Sequence, residues 1–121
     1  MDAQMKRGFL DACVLATMAS KESYGYQIIK DLPKMLEISE STLYPLLKRL
    51  EAKRLIQVRK AESNGRLRKY YSLTDQGHAE LAAFMADKQE VVDIFRFVER
   101  SIDEAASSNG ADPSTKSGAR P

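Results

Sequence analysis

The chain has 121 residues, of which 43% are hydrophobic and 30% are charged, and its formal net charge is +2. Such a length and composition are typical of one globular domain with a small core, and no run approaches the roughly 18 apolar residues of a membrane-spanning helix. A single cysteine, Cys13, cannot form an internal disulfide, and Asp11 interrupts the N-terminal apolar run, which indicates an amphipathic helix instead of a secretory signal. We therefore expect a reducing, cytoplasmic location.

The positive charge is concentrated in one stretch of the sequence. From Lys48 to Lys69, nine Lys or Arg residues stand against two acids, which gives +7 over 22 residues and leaves −5 for the other 99. A basic run alone usually marks a solvated face, so its meaning depends on the elements that carry it.

Two helices and a connector are predicted first. Apolar periodicity favours a helix over residues 8–19. A second helix is expected to start after Ser23 as its N-cap and to stop at Pro33, because a residue before proline is pushed out of the helical region. Residues 34–38 are predicted to be extended or a short strand.

A third helix is predicted to begin near Ser39 or Ser41, since both can cap free helical N–H groups. Pro45 is expected in its first turn or one residue later. Spacings of three and four predict the buried face: Leu43, Leu46, Leu47 and Leu50. The residues that point elsewhere are Ser41, Thr42, Tyr44, Lys48 and Arg49.

A hairpin is predicted after the third helix. Ile56 and Val58, and later Tyr71, alternate with side chains that face the other way, as in strands. Asn64-Gly65 between them is the strongest short hairpin signal. The hairpin would carry three cations at and near its tip: Arg66, Arg68 and Lys69.

A fourth helix, capped by Thr74, is predicted to carry a heptad seam. Its steps alternate between three and four residues: Leu81, Phe84, Lys88, Val91, Phe95, Val98 and Ile102. About thirty helical residues span roughly 45 Å, which exceeds what so small a domain can cover. We expect pairing with a second copy; the alternative is that the seam covers only the chain's own domain.

Three helices followed by a basic hairpin form the order of a winged helix-turn-helix, in which the third helix enters the major groove and the wing contacts the backbone or minor groove. The predicted fold is mostly α with a small β-hairpin, a winged helix-turn-helix plus a long C-terminal dimerisation helix. The winged-helix domain is assigned to 1–73, the dimerisation helix to 74–105 and a disordered tail to 106–121. The five exposed residues of the third helix and the three hairpin cations are the predicted DNA-binding residues.

Two other classes of function were compared with this one. An enzyme is not indicated, because the chain has one His, one Cys and no glycine-rich phosphate loop. His78 has no Cys or His partner nearby, so we predict that it is a surface residue. We expect neither a metal nor a cofactor. A winged-helix module that binds protein is the remaining alternative, although such modules usually lose the basic face retained here.

Several motifs point to one family. They are Gly25-Tyr26 with Ile28-Ile29, "SESTLYPLLKRLE" from Ser39 to Glu51, Leu55-Ile56, "RKYYSLT" from Arg68 to Thr74, and Gly77. Over roughly residues 7 to 100 the chain resembles the PadR family of transcriptional regulators, in the compact subgroup with one C-terminal helix.

That resemblance implies a bacterial repressor that dimerises through its C-terminal helix and binds a palindromic operator in double-stranded DNA. By position it implies an operator face of Ser41, Thr42, Tyr44 and Lys48, with Arg66, Arg68 and Lys69 on the wing. Some relatives respond to drugs or stress, so release by a small-molecule effector is left open. The chain has no Trp, which argues against an effector site of stacked tryptophans.

Overall fold

The computed structural model describes residues 2–108 of the chain. Within them lie four α-helices, one 3₁₀ turn and one two-stranded antiparallel sheet. The helices are α1 (Ala3–Thr17), α2 (Gly25–Asp31), α3 (Glu40–Ala52) and α4 (Asp75–Ser108), and the strands are β1 (Ile56–Ser63) and β2 (Arg66–Leu73). The described chain divides into two compact units, one ending at Phe84 and one beginning at Met85.

Helix α1 differs from the prediction at both ends. It begins five residues earlier because Asp2 is its N-cap, with the carboxylate accepting a hydrogen bond from the Met5 backbone N–H at 2.9 Å. It ends at Thr17, two residues earlier than predicted. The sequence did not identify Asp2 as a cap because the apolar periodicity that predicted the helix begins only at residue 8.

The prediction that Ser23 caps α2 was wrong. Ser23 instead pairs with Tyr71 as an isolated antiparallel bridge, with both backbone N–H groups donating across it at 2.9 and 2.8 Å. Tyr24 is the N-cap residue and makes no side-chain capping bond. The bridge adds a short third segment to the base of the hairpin, so the backbone at Ser23 is held by the sheet.

The predicted start of α3 agrees with the structure, whereas the predicted conformation of the connector and the predicted position of Pro45 do not. Lys34–Leu36 form a 3₁₀ turn, not an extended segment. Ser39 is the N-cap of α3, and its hydroxyl bonds the Ser41 hydroxyl at 2.9 Å. Pro45 is the sixth residue of the helix, later than predicted. Because proline lacks an N–H, the Ser41 carbonyl receives no helical hydrogen bond from position 45.

The predicted leucine face of α3 is confirmed and forms the centre of the core. Leu43, Leu46, Leu47 and Leu50 are between 0 and 6% exposed. They share one cluster with side chains of α1 and α2, including Val14, Leu15 and Ile28, and with Met18, the C-cap residue of α1. At about 1.5–3 kcal/mol for each fully buried large aliphatic side chain, this cluster fixes α3 against the two preceding helices.

The prediction of a hairpin with Asn64-Gly65 at its turn is confirmed. Ser63 pairs with Arg66, so Asn64 and Gly65 alone form the loop. Their φ angles are +55° and +76°. Positive φ at both central residues defines a type I′ turn, whose twist matches that of the strands and which Asn-Gly favours.

The base of the hairpin is tied to the start of α4 by Thr74. The Thr74 hydroxyl donates to the Arg54 carbonyl at 2.7 Å and accepts from the Gly77 N–H at 3.0 Å, which confirms Thr74 as the cap of α4. A Cβ at Gly77 would collide with the Leu55 carbonyl oxygen. Glycine at this position therefore allows α4 to start close against the backbone of Leu55, the residue before β1.

Helix α4 contains 34 residues, which corresponds to about 51 Å. In the unit from Met85 onward, the seam residues Val91, Phe95, Val98 and Ile102 are 47 to 69% exposed. Residues 106–108 of the expected tail are the last residues of α4, and its remainder lies outside the described residues. No helix within residues 2–108 is long and apolar enough to cross a membrane.

Candidate nucleic-acid interface

All eight residues that the sequence nominated for DNA contact are exposed. Five lie on α3 and three on β2. At about 100° per residue, Ser41, Pro45 and Lys48 project from α3 on the side opposite its buried leucines. This set is called the outer stripe of α3 below.

One side of the outer stripe borders a cleft shared with the hairpin. The cleft has a volume of about 570 Å³ and is lined by residues from α2, α3 and β2. From α3 it receives Glu40 and Tyr44, and from β2 it receives Arg68 and Lys69. We name it the wing cleft. It brings together three of the nominated residues, which come from two elements separated in sequence.

Tyr44 is positioned in the wing cleft by the start of α2. Its hydroxyl lies against the Cα of Gly25, in space that any larger residue there would occupy. Tyr44 is 43% exposed, so part of its side chain packs against Gly25 and the rest faces solvent. Tyr71, below it on β2, is buried, and that burial is the main cause of the raised pKa of its phenol, with smaller contributions from Tyr44 and Glu51.

Arg68 lies over two aromatic rings, those of Tyr24 and Tyr70. Its guanidinium carbon lies 4.2 Å from the centroid of the Tyr24 ring. Tyr24 in turn meets Tyr70 edge to face, with 6.0 Å between centroids. A cation over an aromatic face is attracted by the ring quadrupole. The stack limits where the Arg68 guanidinium can go, although the side chain stays exposed.

A second cation also lies over the Tyr70 ring. Arg59 lies 4.7 Å from the Tyr70 centroid, and its Nε donates to a Glu22 carboxylate oxygen at 2.9 Å. This hydrogen bond is the main cause of the lowered pKa of Glu22. Arg59 is therefore a basic residue of the charged stretch whose charge is already balanced.

Arg49 is also balanced within the chain. Its two terminal nitrogens donate to the two carboxylate oxygens of Asp11 on α1, at 2.9 and 3.2 Å. The hydrogen bonds to Asp11 raise the pKa of the Arg49 guanidinium. Of the nominated residues, Arg49 and Thr42 border a different cleft, which α3 shares with α1.

The remaining nominated cations are available to a partner. Within residues 2–108, no ion pair involves Lys48, Arg66 or Lys69. Arg66 directly follows the type I′ turn, so it lies at the tip of the hairpin. Lys48 belongs to the outer stripe.

Sequence reasoning missed two aromatic residues of the site. Tyr24 and Tyr26 both line the wing cleft, and Tyr26 is 59% exposed. They flank Gly25, so the pattern Tyr-Gly-Tyr at the start of a short helix was the available signal. His78 is exposed, as predicted. A search of residues 2–108 finds no group of three His, Cys, Asp or Glu side chains that could hold a metal ion.

Comparisons with known proteins agree on one family. Residues 14–83 match the model of the transcriptional regulator PadR-like family. An uncharacterized protein of Lysinibacillus sphaericus is 36% identical over 97 residues, which cover 74% of this chain and 89% of that protein.

Solved structures give the same result. A PadR-like transcriptional regulator from Bacillus cereus is similar with a TM-score of 0.68 and 33% identity, covering 79% of this chain and 96% of the other. A PadR family transcriptional regulator from Eggerthella lenta has a TM-score of 0.66 and 32% identity, covering 79% and 87% of the two chains.

Proposed function

Because the chain belongs to the PadR-like family of transcriptional regulators, we propose that it binds an inverted-repeat operator in double-stranded DNA as a homodimer and represses transcription there. Members of this family are regulators and not enzymes, so the chain is not an enzyme. Operator binding requires the protein to share a compartment with the chromosome, in line with the expected cytoplasmic location.

The wing cleft is the observation that carries this proposal. It joins Tyr44 of α3 to Arg68 and Lys69 of β2 in one exposed concave surface. A helix that reads the major groove needs cations beside it to neutralise phosphate and fix its register. Tyr44 and the outer stripe supply polar atoms for the groove, and the wing supplies the charge.

The distribution of paired and unpaired cations supports the same assignment. Arg49 and Arg59 are bound to Asp11 and Glu22, whereas Lys48, Arg66 and Lys69 form no ion pair within residues 2–108. A charge without an internal partner keeps its full attraction for phosphate. We therefore assign phosphate contact to Arg66, Arg68 and Lys69 of the wing, contact inside the groove to Lys48 of the outer stripe, and a structural role to Arg49.

The exposed seam of α4 supports a dimer. Between Met85 and Ser108, large apolar side chains at heptad spacing are left largely in solvent. Pairing two such seams would bury them and relate two α3 helices by a two-fold axis, with half-sites about 34 Å apart. An effector that favours another spacing of the two α3 helices would release the operator by a shift of population.

The proposal is tested by the binding of a labelled random-sequence duplex and of the protein's own promoter, measured by fluorescence anisotropy at low salt. Arg66→Ala with Arg68→Ala is expected to weaken binding to both duplexes by similar factors, because backbone contacts carry no sequence information. Lys48→Ala is expected to weaken binding to the promoter more than binding to the random duplex.

Lys21→Ala is the control, since Lys21 borders a cleft that contains no α3 residue and none of the wing cations. It should leave both affinities unchanged. If the wild-type chain fails to bind any duplex at low salt, the proposal is wrong and a protein-binding module becomes the better assignment.

A further inference from the structure

We infer that Lys6 and Arg7 of α1 form a second phosphate-binding site, on the side of α3 away from the wing cleft. This inference rests on the proposed binding of DNA and adds residues that lie far from the basic stretch of the sequence. It starts from the cleft between α1 and α3, which has a volume of about 380 Å³. We name it the α1 cleft.

The α1 cleft and the wing cleft flank the outer stripe from opposite sides. Leu43 is buried, and its neighbours Thr42 and Tyr44 project about 100° to either side of it. Thr42 lines the α1 cleft and Tyr44 lines the wing cleft, and no residue lines both. The outer stripe therefore has one cleft along each edge.

The dimensions of B-DNA place a phosphate backbone beside each of the two clefts when α3 lies in the major groove. The major groove is about 12 Å wide, and a helix with its side chains is about 10–12 Å across. A helix in the groove thus has a phosphate backbone close to each side. If one backbone runs past Arg68 and Lys69, the other runs past the α1 cleft.

The α1 cleft has spare positive charge at its rim. Lys6 and Arg7 are exposed, and neither side chain forms an ion pair within residues 2–108. Arg49, the third cation of this cleft, is bound to Asp11. Lys6 and Arg7 are thus the residues of the cleft with charge available for phosphate.

The floor of the α1 cleft suits long cationic side chains. It contains Leu10, Pro45 and Leu46. Lysine and arginine lay their aliphatic stems along apolar surface while the charged ends remain in water. Pro45 belongs to both the floor and the outer stripe, so the α1 cleft is continuous with the surface proposed to enter the groove.

Capping of α1 does not require these two cations. They are the fourth and fifth residues of α1, and the N-terminus of the helix is already capped by the Asp2 carboxylate. The helix dipole disfavours positive charge near an N-terminus. Outside the Lys48–Lys69 stretch the chain carries a net charge of −5, so Lys6 and Arg7 belong to a part of the sequence in which acids outnumber bases.

The test is the salt dependence of DNA binding by the full chain with Lys6→Gln and Arg7→Gln combined. Glutamine keeps good helix propensity and removes only the charge. Each phosphate contact contributes about −0.9 to the slope of log affinity against log salt. The variant loses two cations from each protomer of a dimer, so its slope should be less steep than that of the wild type by up to about 3.6. Light scattering on the same samples reports the mass.

Two matched variants complete the experiment. Lys6→Arg with Arg7→Lys keeps both charges and should retain the wild-type slope. Lys21→Gln with Lys34→Gln removes two exposed cations elsewhere and should also retain it.

The outcomes separate the inference from the proposed function. A steep wild-type slope that the Lys6/Arg7 variant leaves unchanged overturns the inference and leaves DNA binding intact. A flat wild-type slope overturns DNA binding itself. A fall in mass with an unchanged slope means that the α1 cleft receives a second copy of the chain, and this also overturns the inference.

Discussion

The hydroxyl of Tyr44 on α3 lies against the Cα of Gly25 on α2, in the space that a Cβ at position 25 would need. The absence of a side chain at Gly25 therefore decides where Tyr44 points, and Tyr44 is the residue through which α3 reaches the wing cleft. The two positions lie in separate motifs of the sequence and act as one unit in the fold.

Gly25→Ala is expected to displace Tyr44 and weaken DNA binding about as much as Tyr44→Ala does. In the Tyr44→Ala background the same change should cost no affinity, and the melting temperature should stay the same or rise slightly, because Gly25 is the first residue of α2 and the advantage of alanine over glycine, about 1 kcal/mol, applies in full only to helix interiors. Anisotropy and thermal melts on the double-mutant cycle measure both effects. Additive losses of affinity would show that Gly25 does not act through Tyr44.

Tyr24→Leu removes the ring face that holds Arg68. Exposed cation–π contacts contribute about 0.5–1 kcal/mol, so affinity for a random duplex should fall roughly two- to fivefold. Tyr24→Phe keeps the ring and is the control, with affinity expected to stay at the wild-type value. Equal losses in the two variants would assign the effect to the Tyr24 hydroxyl instead of to its ring.

Phe95→Glu combined with Val98→Glu should convert the proposed dimer into a monomer, because it places carboxylates in the exposed seam of α4. Multi-angle light scattering gives the mass directly. The control adds two carboxylates on the face of α4 away from the seam, Ala86→Glu with Gln89→Glu, and should remain dimeric. A dimer that survives the seam substitutions would mean that another surface holds the two copies together.

The thiol of Cys13 should react slowly with a disulfide reagent in the folded protein. Burial raises the pKa of Cys13, and the thiolate is the reactive form. Because the folded-state pKa lies above the ordinary value, the reaction rate should begin to rise at a higher pH in the native protein than in urea. Identical pH profiles in the two states would contradict the burial of this side chain.

The features that were predicted correctly depend on neighbours in sequence. Asn64-Gly65 determines its own turn, the leucines of α3 follow a helical period, and Thr74 caps the residues directly after it. Such local preferences can be recognised without knowledge of the rest of the fold.

The features that were missed depend on residues far apart in the chain. Arg49 was nominated from its position on α3, and its partner Asp11 lies 38 residues away. Ser23 has a side chain suited to capping, but its backbone forms hydrogen bonds with Tyr71, which is far away in sequence. The α1 cleft likewise exists only because α1 packs beside α3, so a reading of charge along the sequence passed over Lys6 and Arg7.

The central claim is that α3 and the wing together present unpaired cations to a duplex. Its most direct test is the slope of log affinity against log salt for the wild-type chain and a duplex that contains its operator. The α3 and wing cations, at roughly six to eight phosphates neutralised per dimer, should contribute between about −5 and −7 to this slope, and Lys6 and Arg7 up to about −3.6 more. A slope near zero would contradict the account, because binding would then involve no release of counterions from phosphate.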